Sequence, residues 1–363
     1  MRPVPLDRAM QSVHVDHTMQ SADMDSAAHA SRRVLVVGAG GTVAMVGRFA
    51  YDWVEYGENG QVRPVADVVT ELQPLLPGVE VELTSFRTLA STGIEWQDWV
   101  ELGRLVRTLG ATRDDVQGIV ITHGTATLEE TAWFLDLVLD CPLTVVLVGA
   151  QRPPNTAGSD AAPNLRAALA IAIAPECRGL GVLVVMNNAV FAARDVRKVS
   201  NFALEAFAAP EFGPLGRVDP DGTVVLRRRP VRHESAACAR LAAALDVEHP
   251  PRVDIAYSHA GADGTAIRAF LAAGARAIVS LGMPPGRCTP AERAALRDCV
   301  AAGVIVVQAS RAACGGVVRQ HYNSADGIES GGDLAANKLR ILLMIALSAS
   351  VPRESIGELL LRH

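Results

Sequence analysis

Val34-Leu35-Val36-Val37-Gly38-Ala39-Gly40-Gly41-Thr42-Val43-Ala44 is a short apolar run that stops on a cluster of glycines. A run apolar at every position reads as a strand covered on both faces, as in a parallel sheet. The glycines after it permit a tight turn and a close backbone approach, and Thr42 then presents a hydroxyl at the strand end. A dinucleotide-binding turn of the form G-x-G-x-x-G/A needs Gly or Ala where Val43 stands, so that reading fails by one position.

Outward from this run, residues 118–122, 143–149 and 181–186 have the same near-continuous apolar character. Between them the pattern changes period. Trp99, Leu102, Leu105 and Val106 predict a helix over 99–109, Ala132, Trp133, Leu135 and Leu139 one over 129–139, and a third reads over 164–172. Residues 227–249 interrupt the alternation with Arg-rich and Ala-rich segments, Pro230 within them and Pro250 and Pro251 just after. Beyond, strands read at 252–258, 277–281 and 303–308, with helices at 266–273, 290–302 and, last, 334–348. The expectation is α/β, with two parallel α/β domains: a larger N-terminal catalytic domain at 32–230, a linker at 231–250 and a smaller C-terminal domain at 251–363. The 363 residues fit two domains of roughly 150 each. Residues 1–31 read as a polar, disordered tail or an assembly contact.

Composition excludes several classes. A net charge of −5 without a long basic run argues against nucleic acid as partner. No apolar stretch approaches the roughly 20 residues that span a bilayer, and the first thirty residues lack the apolar core of a secretory signal, which predicts a cytoplasmic protein away from membranes. The six cysteines form no CxxC pair and read as reduced thiols. His14 and His17 are spaced like metal ligands but stand in the polar tail, so no metal and no cofactor is assigned.

Ligands in open parallel sheets bind beyond the carboxyl ends of the strands, which directs attention to three loops. The first carries Thr42. The second reads Thr122-His123-Gly124-Thr125-Ala126-Thr127-Leu128-Glu129-Glu130, where Thr127 and Glu130 fit a helix capping box. Capping does not explain Thr125, whose hydroxyl falls before the cap. The third, after the run at 181–186, contains Arg194-Asp195-Val196-Arg197-Lys198. Of 34 basic residues only Lys198 and Lys338 are lysines, against 32 arginines. A threonine hydroxyl needs a nearby base to act as nucleophile, and a desolvated lysine can lose its proton near neutrality where an arginine cannot. Lys198 therefore reads as chemical, and Lys338 as a surface or capping charge.

With these residues in place, the sequence resembles the bacterial-type L-asparaginase family over about residues 33–350. The matching segments are Gly40-Gly41-Thr42-Val43-Ala44, Ile121-Thr122-His123-Gly124-Thr125, Val148-Gly149-Ala150-Gln151-Arg152-Pro153, Asp160-Ala161-Ala162-Pro163-Asn164-Leu165, Val184-Val185-Met186-Asn187 and Arg194-Asp195-Val196-Arg197-Lys198. The resemblance implies hydrolysis of a small-molecule amide to acid and ammonia through an acyl-threonine. Thr42 would be the nucleophile, and Thr125 with Lys198 a second cluster that activates it or the hydrolytic water. A lid running from Thr42 to about Gly60 would bring Tyr56, or else Tyr51, onto Thr42. Ser91, Thr92, Gly124, Ala126 and Ala150 would line the substrate subsite. The family is usually a homotetramer; a homodimer is the smaller alternative.

Three positions depart from the family. It places an aspartate directly after the second threonine, where this chain has Ala126. Thr92 occupies a position that is often Gln and faces the substrate ammonium. The acidic residue that a neighbouring subunit contributes has no counterpart around residues 319–322. The carboxylate-binding serine is thus kept at Ser91, and the ammonium contacts are weakened. This pattern predicts an altered substrate or weak activity on L-asparagine. A catalytically impaired metabolite-binding homologue and an ammonia-releasing amidotransferase component are the competing readings.

Overall fold

The computed structural model describes residues 32–59, 61–72, 76–231 and 235–363. The tail expected at 1–31, with His14 and His17, and Gly60 lie outside these residues.

β1 (Arg32–Gly40) contains the opening run and ends on its glycines. There follow α1 (Val65–Leu72), β2 (Val79–Leu89), α2 (Trp96–Thr112), β3 (Val116–Thr122), α3 (Leu128–Val138), β4 (Thr144–Val148), α4 (Ala161–Ile173) and β5 (Val182–Met186). These five strands are parallel, in the order β5-β4-β3-β1-β2. Their two-residue period sorts the core: Leu35, Val37, Ile119 and Ile121 pack with α2 and α3, and Val34, Val36, Val120 and Val146 with α4. Both faces are covered, which is why the strands read as unbroken apolar runs. From β1 the chain runs out to the edge at β2 and returns to β3 on the other side of β1. Such a reversal of strand order opens a crevice beyond the strand ends. Thr42 follows β1 there, and Thr125 follows β3.

The large sheet is mainly parallel, as the sequence predicts, with an antiparallel extension at one edge. β6 (Ala189–Ala192) folds back antiparallel on β5 through Asn187 and Asn188, whose φ angles are 50° and 60°. Two consecutive left-handed residues make the tight hairpin turn that asparagine tolerates, so no crossover helix is needed. A small ribbon follows, β7 (Arg197–Lys198) with β8 (Phe207–Ala208), and then β9 (Gly216–Val218) and β10 (Val224–Leu226) extend the large sheet to eight strands among the described residues. Lys198, expected on a loop after a parallel strand, therefore belongs to a ribbon in which it faces Phe207.

The stretch expected as a linker holds α5 (Ser235–Leu241) and a 3-10 turn (Ala242–Asp246). Leu241, Ala244 and Leu245 are buried at helical spacing, and the Trp96 indole donates to the Val247 carbonyl at 2.9 Å. The second sheet is formed by β11 (Val253–Tyr257), β12 (Ala277–Gly282), β13 (Ile305–Ser310) and β14 (Ile328–Ser330), all parallel and in that order. Between and after them lie α6 (Thr265–Ala272), α7 (Pro290–Ala301), α8 (His321–Ala325), α9 (Ala336–Ser348) and α10 (Ile356–Arg362). Ile267, Leu296 and Cys299 of α6 and α7 pack on one face of this sheet. On the other, α9 is buried nearly all round, by α3 on one side and by β11 and β12 on the other.

Candidate active site

Gly40 and Gly41 both take φ 83°, a left-handed conformation that brings the chain off β1 sharply into a 3-10 turn at Thr42–Ala44. A side chain at Gly41 would meet the Gly124 backbone nitrogen at 2.2 Å, and one at Gly124 would meet the Ser91 Cβ at 2.4 Å. The loops after β1 and β3 thus touch backbone to backbone, the Ser91 side chain after β2 packs on Gly124, and only glycine fits at the two contacts.

Thr42 is buried, and its Oγ1 stands 2.8 Å from the Tyr56 phenol oxygen. Tyr56 rides on a 3-10 turn, Glu55–Asn59, held by the buried Asp52 carboxylate. That carboxylate accepts from the Arg48 and Glu55 backbone N–H groups at 3.0 and 3.1 Å. Two bonds between Asn155 and the Gly47 backbone, at 2.8 and 2.7 Å, fasten the segment to the loop after β4. The Arg152 guanidinium lies 3.9 Å over the Trp53 ring beside them. Tyr51, the alternative partner of Thr42, is 68% exposed and packs edge-on to Trp53 instead. Burial raises the Tyr56 pKa, and the bond to Thr42 opposes the rise.

Thr125 is buried as well, and Lys198 Nζ donates to its Oγ1 at 2.7 Å. Burial pulls the Lys198 ammonium below the ordinary lysine range, with Glu129 acting against it. The Glu129 carboxylate accepts the Lys198 backbone N–H at 2.6 Å through Oε2 and the Asn337 amide at 2.8 Å through Oε1. Behind Gly124, the Trp99 indole donates to Thr131 Oγ1 at 2.8 Å, and Thr131 lies 3.0 Å from His123 Nε2. The Gly124 carbonyl can only accept, so Nδ1 carries the ring proton donated to it at 2.8 Å, and in the neutral ring Nε2 accepts from the Thr131 hydroxyl. Burial pushes the His123 pKa down to about 4, so the ring is neutral and this chain of bonds keeps its direction.

Ser91 and Thr92 occupy a 3-10 turn, Ser91–Gly93, at the end of β2. The expected capping box does not form: Thr127 stands at the N-cap of α3 without bonding its first turn. Its hydroxyl instead donates across to the Ser91 carbonyl at 2.8 Å, 36 residues away in the chain. Ala150 is fully buried after β4, and Gly149 before it lies against Thr125 Cγ2. Ala126 is exposed beside Thr125. The structure therefore gathers Thr42, Tyr56, Ser91, Gly124, Thr125 and Lys198 through direct contacts, with Thr92 and Ala126 adjacent in the chain and Ala150 next to Gly149, which packs on Thr125.

Glu129, His123 and Asn337 received no role from the sequence, and Lys338 requires a correction. It is not a surface charge but fully buried, with Nζ donating to the carbonyls of Ala193, Arg194 and Val196 at 2.7, 2.7 and 2.6 Å. Its scarcity value as one of two lysines was the available signal; the neighbouring Arg340 suggested a charged surface that α9 does not have. Among the described residues no cluster of three or more His, Cys, Asp or Glu could hold a metal, and no helix is long and apolar enough to cross a membrane.

Residues 33–232 match the asparaginase N-terminal domain, and residues 252–360 the glutaminase/asparaginase C-terminal domain. The chain is 34% identical over 318 residues to a glutaminase-asparaginase of Pseudomonas fluorescens biotype A, covering 87% of this chain and 86% of that one. It is 30% identical over 336 residues to L-asparaginase 2 of Escherichia coli strain K12, covering 92% and 94%. The crystal structure of a probable cytoplasmic L-asparaginase from Campylobacter jejuni superposes with a TM-score of 0.83 at 29% identity, over 92% of this chain and 100% of that one. With both halves matched and the fold shared, the chain belongs to the glutaminase/asparaginase family.

Proposed function

We propose that the chain hydrolyses a side-chain amide to acid and ammonia through an ester on Thr42. Thr42 Oγ1 attacks the amide carbon while its proton leaves along the contact with Tyr56. Backbone N–H groups near Thr125 receive the oxyanion. Collapse expels ammonia carrying that proton and leaves the acyl-threonine. Neutral Lys198 then takes the Thr125 proton, Thr125 takes one from the attacking water, and hydrolysis releases the acid and returns a proton to Thr42. The observation that carries this reading is the 2.7 Å bond between Lys198 and Thr125, a hydroxyl paired with an amine whose ammonium form burial disfavours.

The substrate reading rests on Ala126. An α-ammonium brought into a closed site without a carboxylate is an uncompensated charge, and removing one partner of a buried pair commonly costs about 3–5 kcal/mol. Glu129 does not replace the missing group, because both its oxygens are taken by Lys198 N–H and Asn337. The favoured substrate is therefore an amide whose α-amine is masked or absent. Phe49 and Val54, preceding Tyr56 in the chain, and Val199 and Phe202, following Lys198, expose apolar surface that suits a homodimer or homotetramer.

Ammonia release from L-asparagine and from N-acetyl-L-asparagine, by the natural protein, Thr42→Ala and Ala126→Asp, tests both parts. The reading expects release only with Thr42, preference for the masked amide, and a gain on L-asparagine in Ala126→Asp. Efficient turnover of L-asparagine by the natural protein would sink the substrate reading. Absence of any acyl adduct on Thr42 by mass spectrometry, with every amide, would favour a metabolite-binding protein.

A further inference from the structure

The chain's two lysines meet at one place. Lys198 carries the bond to Thr125, and Lys338 Nζ binds three carbonyls of the segment leading into it, those of Ala193, Arg194 and Val196. Lys338 lies in the first turn of α9, more than a hundred residues along the chain. Its neighbour Asn337 reaches the same segment from the other side, through Glu129, whose second oxygen holds the Lys198 backbone N–H. Asp333, just before α9, adds a pair of bonds to the Arg194 guanidinium at 3.3 and 2.6 Å.

This arrangement is more than ordinary burial requires. An ammonium has three N–H donors and no acceptor, and Lys338 spends all three on carbonyls of one four-residue stretch. A planar guanidinium cannot meet three carbonyls converging on a point, which accounts for a lysine here in a chain that otherwise uses arginine. The Asn337–Glu129 link is anchored on a backbone N–H, so it fixes where the Lys198 main chain lies rather than merely filling space.

We infer that Asn337 and Lys338, from the C-terminal half of the chain, are positioning residues that set the placement of Lys198 against Thr125. The inference rests on the reading of Lys198 as the proton-transfer group of the site. Neither residue touches the reacting atoms; both act through the segment between Ala193 and Lys198.

The two-lysine composition provides a direct test. Full-length protein labelled with 13C at the lysine ε carbon gives two side-chain signals, assigned by Lys338→Met, and the Lys198 signal is titrated from pH 5 to 10. The charged groups facing the pair are Glu129, toward Lys198 and Lys338, and Glu130, Asp195, Arg194 and Arg197, toward Lys338. In Asn337→Ala the Lys198 midpoint is expected to rise by about half a pH unit as its surroundings loosen and water enters. On N-acetyl-L-asparagine, kcat falls about tenfold while KM stays within about twofold. Lys338→Arg reproduces the loss rather than restoring function. A purely structural role would lower the melting temperature and leave the Lys198 midpoint where it is. An unchanged midpoint in Asn337→Ala overturns the inference, whether or not the amide is turned over. Full activity in Lys198→Ala instead overturns the proton-transfer reading on which it rests.

Discussion

Thr42 Oγ1 and the Tyr56 phenol are 2.8 Å apart because the turn bearing Tyr56 is fastened twice, by Asp52 from within and by Asn155 from the loop after β4. The phenol is the side-chain group bonded to the Thr42 hydroxyl, and in the proposed mechanism the Thr42 proton leaves through it. Tyr56→Phe keeps the ring and its packing and removes only that path. The expected result is a kcat lower by about a hundredfold, within the usual range for a lost proton-transfer group, with a melting temperature close to that of the natural protein. Steady-state ammonia release and a thermal melt on the same preparations check it; an unaltered kcat places the proton elsewhere.

Lys198 predicts the acid side of the pH profile. Burial lowers its pKa, so the neutral amine, which in the proposed mechanism accepts a proton from Thr125, persists to lower pH than for an ordinary lysine. A carboxylate at position 126 would favour the ammonium and raise that pKa. The acid limb of kcat/KM is therefore expected at lower pH in the natural protein than in Ala126→Asp. Coincident limbs in the two profiles would show that Lys198 does not feel position 126.

What the sequence made legible is local in kind. The run 34–44 carries its strand, its glycine turn and its hydroxyl within eleven residues, and the same is true of the loop holding Thr125; their contact follows from strand order alone. Thr127 was misread because its acceptor, the Ser91 carbonyl, is 36 residues away and outweighs the capping pattern beside it. The antiparallel return at Asn187 and Asn188 was missed because an apolar strand gives no sign of which neighbour it will pair with. Lys338 was misplaced because burial of α9 is decided by α3 on one side and by β11 and β12 on the other, all far from it in sequence.

Thr127 gives a prediction that separates its observed partner from the expected cap. Thr127→Val removes one hydrogen bond to the Ser91 turn, an interaction of about 1 kcal/mol, and leaves the first turn of α3 without any loss, since Thr127 does not cap it. The family resemblance implies that Ser91 meets the substrate carboxylate, and on that reading KM should rise by about fivefold with kcat little changed. Thr127→Ser, which keeps the hydroxyl, should restore KM. A rise in neither constant would mean that the Ser91 turn holds its place unaided.

Lys338 links the fold to pH with a definite sign. Burial pushes its pKa down to about 7 against Glu129 and Asp195, whereas in the unfolded chain it titrates near the ordinary value of about 10.4. A lowered folded-state pKa means that between about pH 7 and pH 10 the unfolded chain binds more protons, so this residue's contribution to stability increases as pH rises through that window and is smallest below it. Lys338→Met removes the titrating group and leaves three carbonyls without their donor. The natural protein should exceed the variant in stability, and by more at pH 9 than at pH 7, because every other titrating group is common to both and cancels in the difference. Urea unfolding of the two proteins at each pH measures the gap. A gap that narrows with rising pH would mean that the three carbonyls hold the ammonium so firmly that its folded-state pKa lies above the unfolded one.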